Sequence, residues 1–380
     1  MESKVKWVRL GDYISPRNER NSDFRYGVEL IEGVNSDGEF QPTKAITDGI
    51  DLKPYKAVWP GDIVYNPSRL NIGSLAYRES GMCIVSHLYQ VFHVKEEFKN
   101  ELLPEFLLIW FKRDEFSRIV DYYNYGSQRA ELNLKKLGEL IIPLPSLSEQ
   151  QKVVNAWKAF REIKEQNEAK AAPLMQLCQS YILELKHKTK ATYRIGKAIR
   201  LQDETNTENK LYDVLGLNKD KEFMPTVANL ENVSLKKYKV VSKGQFAFSG
   251  MQTGRDICIR ISLYEKDVPA LISPAYTTFT LNEKEPLLPE YMMLVFKNSE
   301  MDRLGWFYSD SSVRSNLDWN RFLDIEIPYV PLDVQRAIVN IYKCANEAKQ
   351  IAAEADRLSR EVCPALLQHV IKKSKQCLDN

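Results

Sequence analysis

Apolar positions along this chain change their period in one order, and the order is run through twice. Residues 57–65 (AVWPGDIVY) and 240–248 (VVSKGQFAF) place apolar side chains in short alternating runs around a glycine. That is the pattern of strands joined by a turn. Second strands are expected at 82–86 (MCIVS) and 270–273 (ALIS), each ahead of an aromatic-rich strand. An amphipathic helix then opens at a proline, from Pro104 to about Tyr123 and from Pro289 to about Phe307. Proline suits a first helical turn, where its missing N–H has no partner to lose. Phe106, Ile109 and Trp110 are expected to form the apolar stripe of the first of these helices. A polar loop, a short helical piece and a strand ending in proline close each series. His87 falls in an apolar stretch and is expected to be a packed core histidine.

The period then lengthens. From about Ser148 to Lys186 and from about Asp333 to Lys373 the chain is free of glycine and reads as long helix. Ser148 and Asp333 are suitable N-caps. Ile341, Ala348, Ala355 and Val362 recur every seven residues, and Ile338, Ala345 and Ala352 form a second such series. Together they make an a/d seam. The first helix offers Val153, Trp157, Phe160 and Ile163, then Leu174, Leu177 and Tyr181. Neither helix is expected to be stable without a partner surface. The economical arrangement pairs them with each other, antiparallel; a core bundle inside one large domain is the other reading. Pro173 and Pro364 are expected to kink or interrupt the helices.

The two series are copies. PLPSLSEQQKVVN starts at Pro143 and PYVPLDVQRAIVN at Pro328, an offset of 185 without a gap. The same offset relates Arg129-Ala-Glu-Leu132 to Arg314-Ser-Asn-Leu317, Leu103-Pro-Glu-Phe106 to Leu288-Pro-Glu-Tyr291, and Leu10-Gly11 to Ile195-Gly196. Upstream, Phe40-Gln-Pro-Thr43 matches Phe223-Met-Pro-Thr226 at 183. A long period used twice is a duplicated domain; solenoids stack several short repeats. The drift in offset marks loop insertions, where specificity usually varies.

Composition narrows the class. The 380 residues suffice for two domains, 44% are hydrophobic, and the net charge is only +2. A near-neutral total leaves nucleic acid open, because local basic clusters suffice for it. The chain has no run of 18 apolar residues and no N-terminal secretion signal, so a cytoplasmic protein is expected. Six scattered cysteines without a C-x-x-C, and four histidines, argue against zinc and for free thiols.

Catalytic signatures are few. Tyr65-Asn-Pro-Ser68 is a partial match to the N-P-P-aromatic motif of adenine methyltransferases, without the second proline or the aromatic. Its counterpart, Phe248-Ser-Gly-Met251, has neither Asn nor Pro. The sequence contains no phosphate-binding G-x-x-x-x-G-K-[ST] and no glycine-rich loop after a strand. A non-catalytic protein is expected, with no metal site.

At this point the chain resembles a known family. Two variable domains, each closing on an I-P-L-P-x-L-x-E-Q-Q motif that opens a long helix, are similar to the specificity subunit of type I restriction–modification systems. Ile142 to Gln151 fits the motif closely; Ile327 to Arg336 keeps its first Pro, Leu and Gln but has Val334 where the motif has Glu. The resemblance implies an α+β chain of two homologous α/β target recognition domains, residues 1–147 and 191–332. Two long spacer helices, 148–190 and 333–380, would separate them and pair as an antiparallel coiled coil. It implies double-stranded DNA as ligand, each domain reading one half of a split sequence. It also implies two modification (methyltransferase) subunits docked on the helices, and leaves room for a restriction (motor and nuclease) subunit. S-adenosylmethionine would be bound by the modification subunits and no cofactor by this chain. No membrane partner is implied.

Two loops per half combine turn residues with long polar donors: 68–74 with its counterpart 249–255, and 125–129 with 310–316. Arginine can read guanine, and Asn or Gln adenine, with two hydrogen bonds each. Arg69, Asn71, Gln128, Gln252 and Arg255 are the candidates for base readout. Arg129 and Arg314 are equivalent, so they cannot explain two different half-sequences; with Ser312 they are candidates for phosphate contact. A protein-binding scaffold with duplicated domains and a stand-alone DNA adenine methyltransferase remain the competing readings.

Overall fold

The computed structural model describes residues 5–43, 46–124, 132–188, 191–231, 233–310 and 314–376. The chain divides into two compact units, 1–166 with 351–380, and 167–350.

In the first unit the strands are β1 (Lys6–Arg9), β2 (Ile14–Pro16), β3 (Glu32–Val34), β4 (Phe40–Pro42) and β5 (Lys56–Val58). They continue with β6 (Asp62–Tyr65), β7 (Leu75–Tyr77), β8 (Cys83–Val85), β9 (Gln90–Val94) and β10 (Ile141–Leu144). Its helices are α1 (Leu10–Tyr13), α2 (Pro104–Phe111), α3 (Asp114–Asn124), α4 (Leu134–Gly138) and the start of α5 (Leu147–Lys188). The main sheet has the order β2-β9-β6-β7 and is antiparallel throughout. Both of its faces are covered. Ile63, Tyr65 and Phe92 turn toward the helices, while Val64, Val91 and Ala76 pack with Val58, Cys83 and Val85 of β5 and β8. The expected alternation therefore does not mark a solvent face here: Asp62–Tyr65 is buried at every position. β10 pairs with β1 and closes the unit on its own N-terminus.

The second unit repeats this plan with β11 (Thr192–Arg194), β12 (Ile199–Gln202), β13 (Val214–Leu217), β14 (Phe223–Pro225) and β15 (Lys239–Val241). Then come β16 (Phe246–Ser249), β17 (Arg260–Leu263), β18 (Ala270–Ile272), β19 (Thr277–Leu281) and β20 (Glu326–Pro328). Its helices are α6 (Thr253–Asp256), α7 (Pro289–Phe296), α8 (Ser299–Tyr308), α9 (Trp319–Leu323) and the start of α10 (Leu332–Gln376). The main sheet runs β12-β19-β16-β17, β11 pairs with β20, and a second sheet runs β14-β13-β18-β15 with β13 and β18 parallel. The matching link in the first unit is a single parallel bridge, Ile31 to Ile84.

The repeated glutamine has a structural cause. Gln150 is fully buried; its Oε1 accepts from Leu103 N at 2.9 Å, and its Nε2 donates to the carbonyls of Glu101 (2.7 Å) and Pro145 (2.9 Å). Gln335 repeats this with Leu288 N (2.9 Å) and the carbonyls of Pro286 (2.9 Å) and Val330 (2.8 Å). Each clasp ties the first turn of a long helix to the N-cap residue of α2 or α7. Gly11 and Gly196 recur because a Cβ there would lie 2.9 Å from Gly138 O and 2.7 Å from Leu323 O.

Several expectations are corrected. The proline-initiated helix is two helices in each unit. α2 is buried on every side over Phe106–Phe111, so it is a core helix with no stripe, and it stops where the polar sequence begins. Arg113 Nε donates to the Trp110 carbonyl (3.0 Å), and in the second unit the Asn298 side chain caps α8 by accepting from Glu300 N (2.9 Å). The long helices start one residue early, at Leu147 and Leu332. Ser146 Oγ accepts from Glu149 N (3.4 Å), and Pro331 holds the equivalent place, so Ser148 and Asp333 lie inside the first turn. Pro173 and Pro364 sit within α5 and α10 without interrupting them. His87 is exposed in the turn after β8.

The helices pair antiparallel. In the first unit Val153, Val154 and Trp157 share a cluster with Cys363, Leu367 and Val370, and Lys164 Nζ meets Asp356 Oδ1 at 3.2 Å. In the second, Cys178 Sγ faces the Ile338 carbonyl at 3.8 Å and Ile182 packs with Ile338 and Val339. The seam differs in detail from the expected one. Ile163, Leu177 and Tyr181 are exposed, while Ala171, Cys178 and Ile182 are buried. On α10 the heptad holds to Ala355, after which burial moves one position, to Cys363, Leu367 and Val370. Such a four-residue step keeps a 3.6-residue helix in contact where a strict heptad drifts away.

Candidate nucleic-acid interface

The loop after β6 is held by its own backbone. Asn66 Oδ1 accepts from Ser68 N (3.0 Å), Arg69 N donates to Asn66 O (3.0 Å), and the Arg69 carbonyl accepts from Ser74 N (3.1 Å). Asn66 thus closes a strand-end turn, which is the use the partial methyltransferase motif has here. Buried Leu70 anchors a short 3-10 helix, Leu70–Ile72. Gly73 ends it at φ +94°, with a would-be Cβ 2.3 Å from Ser36 O, so only glycine fits. The frame leaves the Arg69 side chain exposed and Asn71 half-buried. Asn71 Nδ2 donates to Asp121 Oδ1 of α3 at 3.0 Å, which ties that candidate to the helix.

The loop after β16 is pinned to the 310–316 region. Leu317 N donates to Gly250 O (2.8 Å), Gly254 N to Ser315 O (2.9 Å), and Gln252 N to Asn316 Oδ1 (3.0 Å). Gln252 has φ +61°, the left-handed region, and precedes α6 as its N-cap residue. Two candidates meet here: Arg255 Nη2 donates to Gln252 Oε1 at 2.6 Å. Arg255 Nε also donates to Asp256 Oδ1 (3.1 Å), and Asp256 is further paired with Arg260 and, at 3.8 Å, with Lys219. The hydrogen bond from Arg255 is the main reason the Asp256 carboxyl lies below its ordinary range. Three cations around one carboxylate leave this rim positive, which suits a polyanion.

Arg314 is described and exposed in the turn beside this loop. Gln128, Arg129 and Ser312 lie outside the described residues. Sequence reasoning missed Asp121, which holds Asn71, and did not single out Asn316 within the 310–316 loop, which holds the Gln252 backbone. Neither has a periodic signal, since each acts through one long-range hydrogen bond. Among the described residues no group of three or more His, Cys, Asp or Glu is placed to hold a metal, and no helix is long and apolar enough to cross a membrane.

Residues 18–172 match the family model of the type I restriction modification DNA specificity domain. The type I restriction–modification S subunit from M. genitalium superposes with a TM-score of 0.58 at 13% identity over 97% of each chain, a likeness of fold. The HsdS subunit from Thermoanaerobacter tengcongensis matches at 16% identity over 98% of each chain, with a TM-score of 0.41. No curated protein matches the chain.

Proposed function

Because the chain belongs to the family of type I restriction–modification specificity subunits, we propose that each unit reads one part of a split duplex target. The loop after β6 would do so in the first unit and the loop after β16 in the second. The chain is a non-catalytic DNA-recognition subunit, and the methyltransferase reading is not supported. It works with DNA and with other subunits of such a system. In our reading those are two modification (methyltransferase) subunits docked on α5 and α10, which bind S-adenosylmethionine, with a restriction subunit as a further partner.

One observation carries the split-target reading. Arg69 and Gln252 occupy the same place 183 positions apart, each the N-cap residue of the short helix that follows a central strand. Arginine pairs with guanine O6 and N7, glutamine with adenine N6 and N7. One scaffold position filled by two readers of different chemistry fits a target with unlike halves. Arg255, bonded to Gln252, serves here to orient it. Asn71 keeps one N–H and its carbonyl oxygen for a base. Gln128, Arg129, Ser312 and Arg314 complete the set as contacts from the second loops.

The test is an exchange. Residues 191–332 are replaced by the corresponding segment of another specificity subunit, and methylated sites are mapped in cells carrying the modification subunit. One half of the methylated sequence should change and the other stay. A change in both halves would show that the units do not read independently.

A further inference from the structure

Resting on that reading, a second surface in each unit has the marks of a DNA contact. Tyr122 and Phe307 lie 185 positions apart, in the last turns of α3 and α8. They are 79% and 73% exposed, and the Phe307 ring has Tyr308 beside it, 5.7 Å between centroids. Each has an exposed arginine four residues earlier, Arg118 and Arg303, again 185 apart. Residues four apart share a helix face, so the same arginine–aromatic pair faces outward in both units. Arg303 Nη1 also donates to Glu300 Oε1 (2.7 Å), an exposed pair that water and salt weaken.

Both helices flank the loops proposed to read bases. Asp121, next to Tyr122, accepts from Asn71. On α8 a Cβ at Gly305 would lie 2.4 Å from Ile259 Cγ1 and 3.2 Å from Thr253 Cγ2, so that helix is seated directly on α6. The loop tips differ between the units, whereas this pair is kept. A feature common to two halves of unlike sequence carries no sequence information, which is the property of phosphate and sugar contacts.

We propose that Arg118 with Tyr122, and Arg303 with Phe307, form a sequence-independent anchor on duplex DNA, the arginine on a phosphate and the ring against the adjoining sugar. The probe is a labelled random-sequence duplex titrated with the full-length chain across a salt series. Replacing both arginines (R118A with R303A) should reduce the salt slope of the affinity by about 1.8, at about 0.9 per phosphate. Replacing both rings (Y122A with F307A) should weaken binding about tenfold at unchanged slope. The exchange Y122F with F307Y should restore it, since either ring serves. Circular dichroism verifies folding, and charge reversal (R118E with R303E) gives an independent variant that must also weaken binding.

Unchanged affinity in these folded variants overturns the anchor while leaving the DNA reading in place; that is the outcome expected if this face docks protein. A shift in the methylated sequence in Y122A or F307A overturns it as well, because the ring would then be reading bases. Wild-type chain without salt-dependent binding overturns both the anchor and the reading beneath it.

Discussion

Asp62 and Gln245 hold the same place in the two units and do the same backbone work with different chemistry. Asp62 Oδ2 accepts from Trp59 N at 2.8 Å, and Gln245 Oε1 accepts from Ser242 N at 2.9 Å. Each closes the turn that leads into the central strand, beside a left-handed glycine, Gly61 or Gly244. Around Asp62, however, a charged cluster has formed: Arg17 Nε lies 2.6 Å from Oδ2, and His93 pairs with Asp62 across the strands. Gln245 needs no counter-ion, and by strand register the neighbour equivalent to His93 is Thr280. What the units share, then, is the backbone bond that fixes the turn. Side-chain charge is free to change where only one unit uses it. The same division separates the buried Gln150 and Gln335, which are identical in role, from the exposed Arg69 and the half-buried Gln252, which are not.

The shared parts should break alike. Replacing Gln150 by leucine removes three hydrogen bonds and leaves the Leu103 N–H and two carbonyls unpaired in the interior. A loss of about 3 kcal/mol is expected. Gln335→Leu should cost about the same, because its partners are the same groups in the second unit. Urea unfolding of both variants checks this. A large loss in one and none in the other would show that the clasps are not equivalent.

The unlike parts should break separately, with a smaller effect. Arg69→Gln should alter one half of the methylated target by about 1–3 kcal/mol of base discrimination and leave the other untouched. Gln252→Arg should do the reverse. Methylation mapping of the two variants decides it, and an effect of either on both halves would contradict the assignment of one reader to each unit.

The sequence carried the parts that repeat and obscured the parts that are local. Pro104 and Pro289, the glutamine motif and the alternating apolar runs are legible because core geometry constrains them twice. The break after Phe111 was not legible: a helix buried on all sides and the amphipathic helix after it read as one apolar-rich run. The late shift of the α10 seam escaped a strict seven-residue count for the reason that 3.6 does not divide seven. Arg69 stands exposed on a loop closed by its own backbone hydrogen bonds. The bond between Arg255 and Gln252 depends on a left-handed backbone at Gln252, which side-chain identity does not announce.

The smallest expected effect isolates the charged cluster of the first unit. His93 Nδ1 lies 3.9 Å from Asp62 Oδ1, too far for a hydrogen bond, and among the described residues neither atom has a hydrogen-bond partner. Burial, the largest influence, pushes the imidazole below its ordinary range, and Arg17 and Lys99 act in the same direction. Asp62 and Glu96 oppose them without prevailing. The reason is that Arg17 already compensates the Asp62 charge. His93 is therefore neutral at neutral pH, and the 3.9 Å approach is not an ion pair there. As pH falls below about 6.5, the unfolded chain takes up this proton before the folded chain does. With more protons bound in the unfolded state, stability must fall as pH falls through that window and level off below the folded value. His93→Thr installs the residue found at the equivalent place in the second unit and removes the term. Urea unfolding of both proteins at about pH 8 and about pH 5 should show the wild type losing more stability on acidification than the variant. Equal losses would mean that His93 titrates alike in both states, and that the cluster makes no difference between the units.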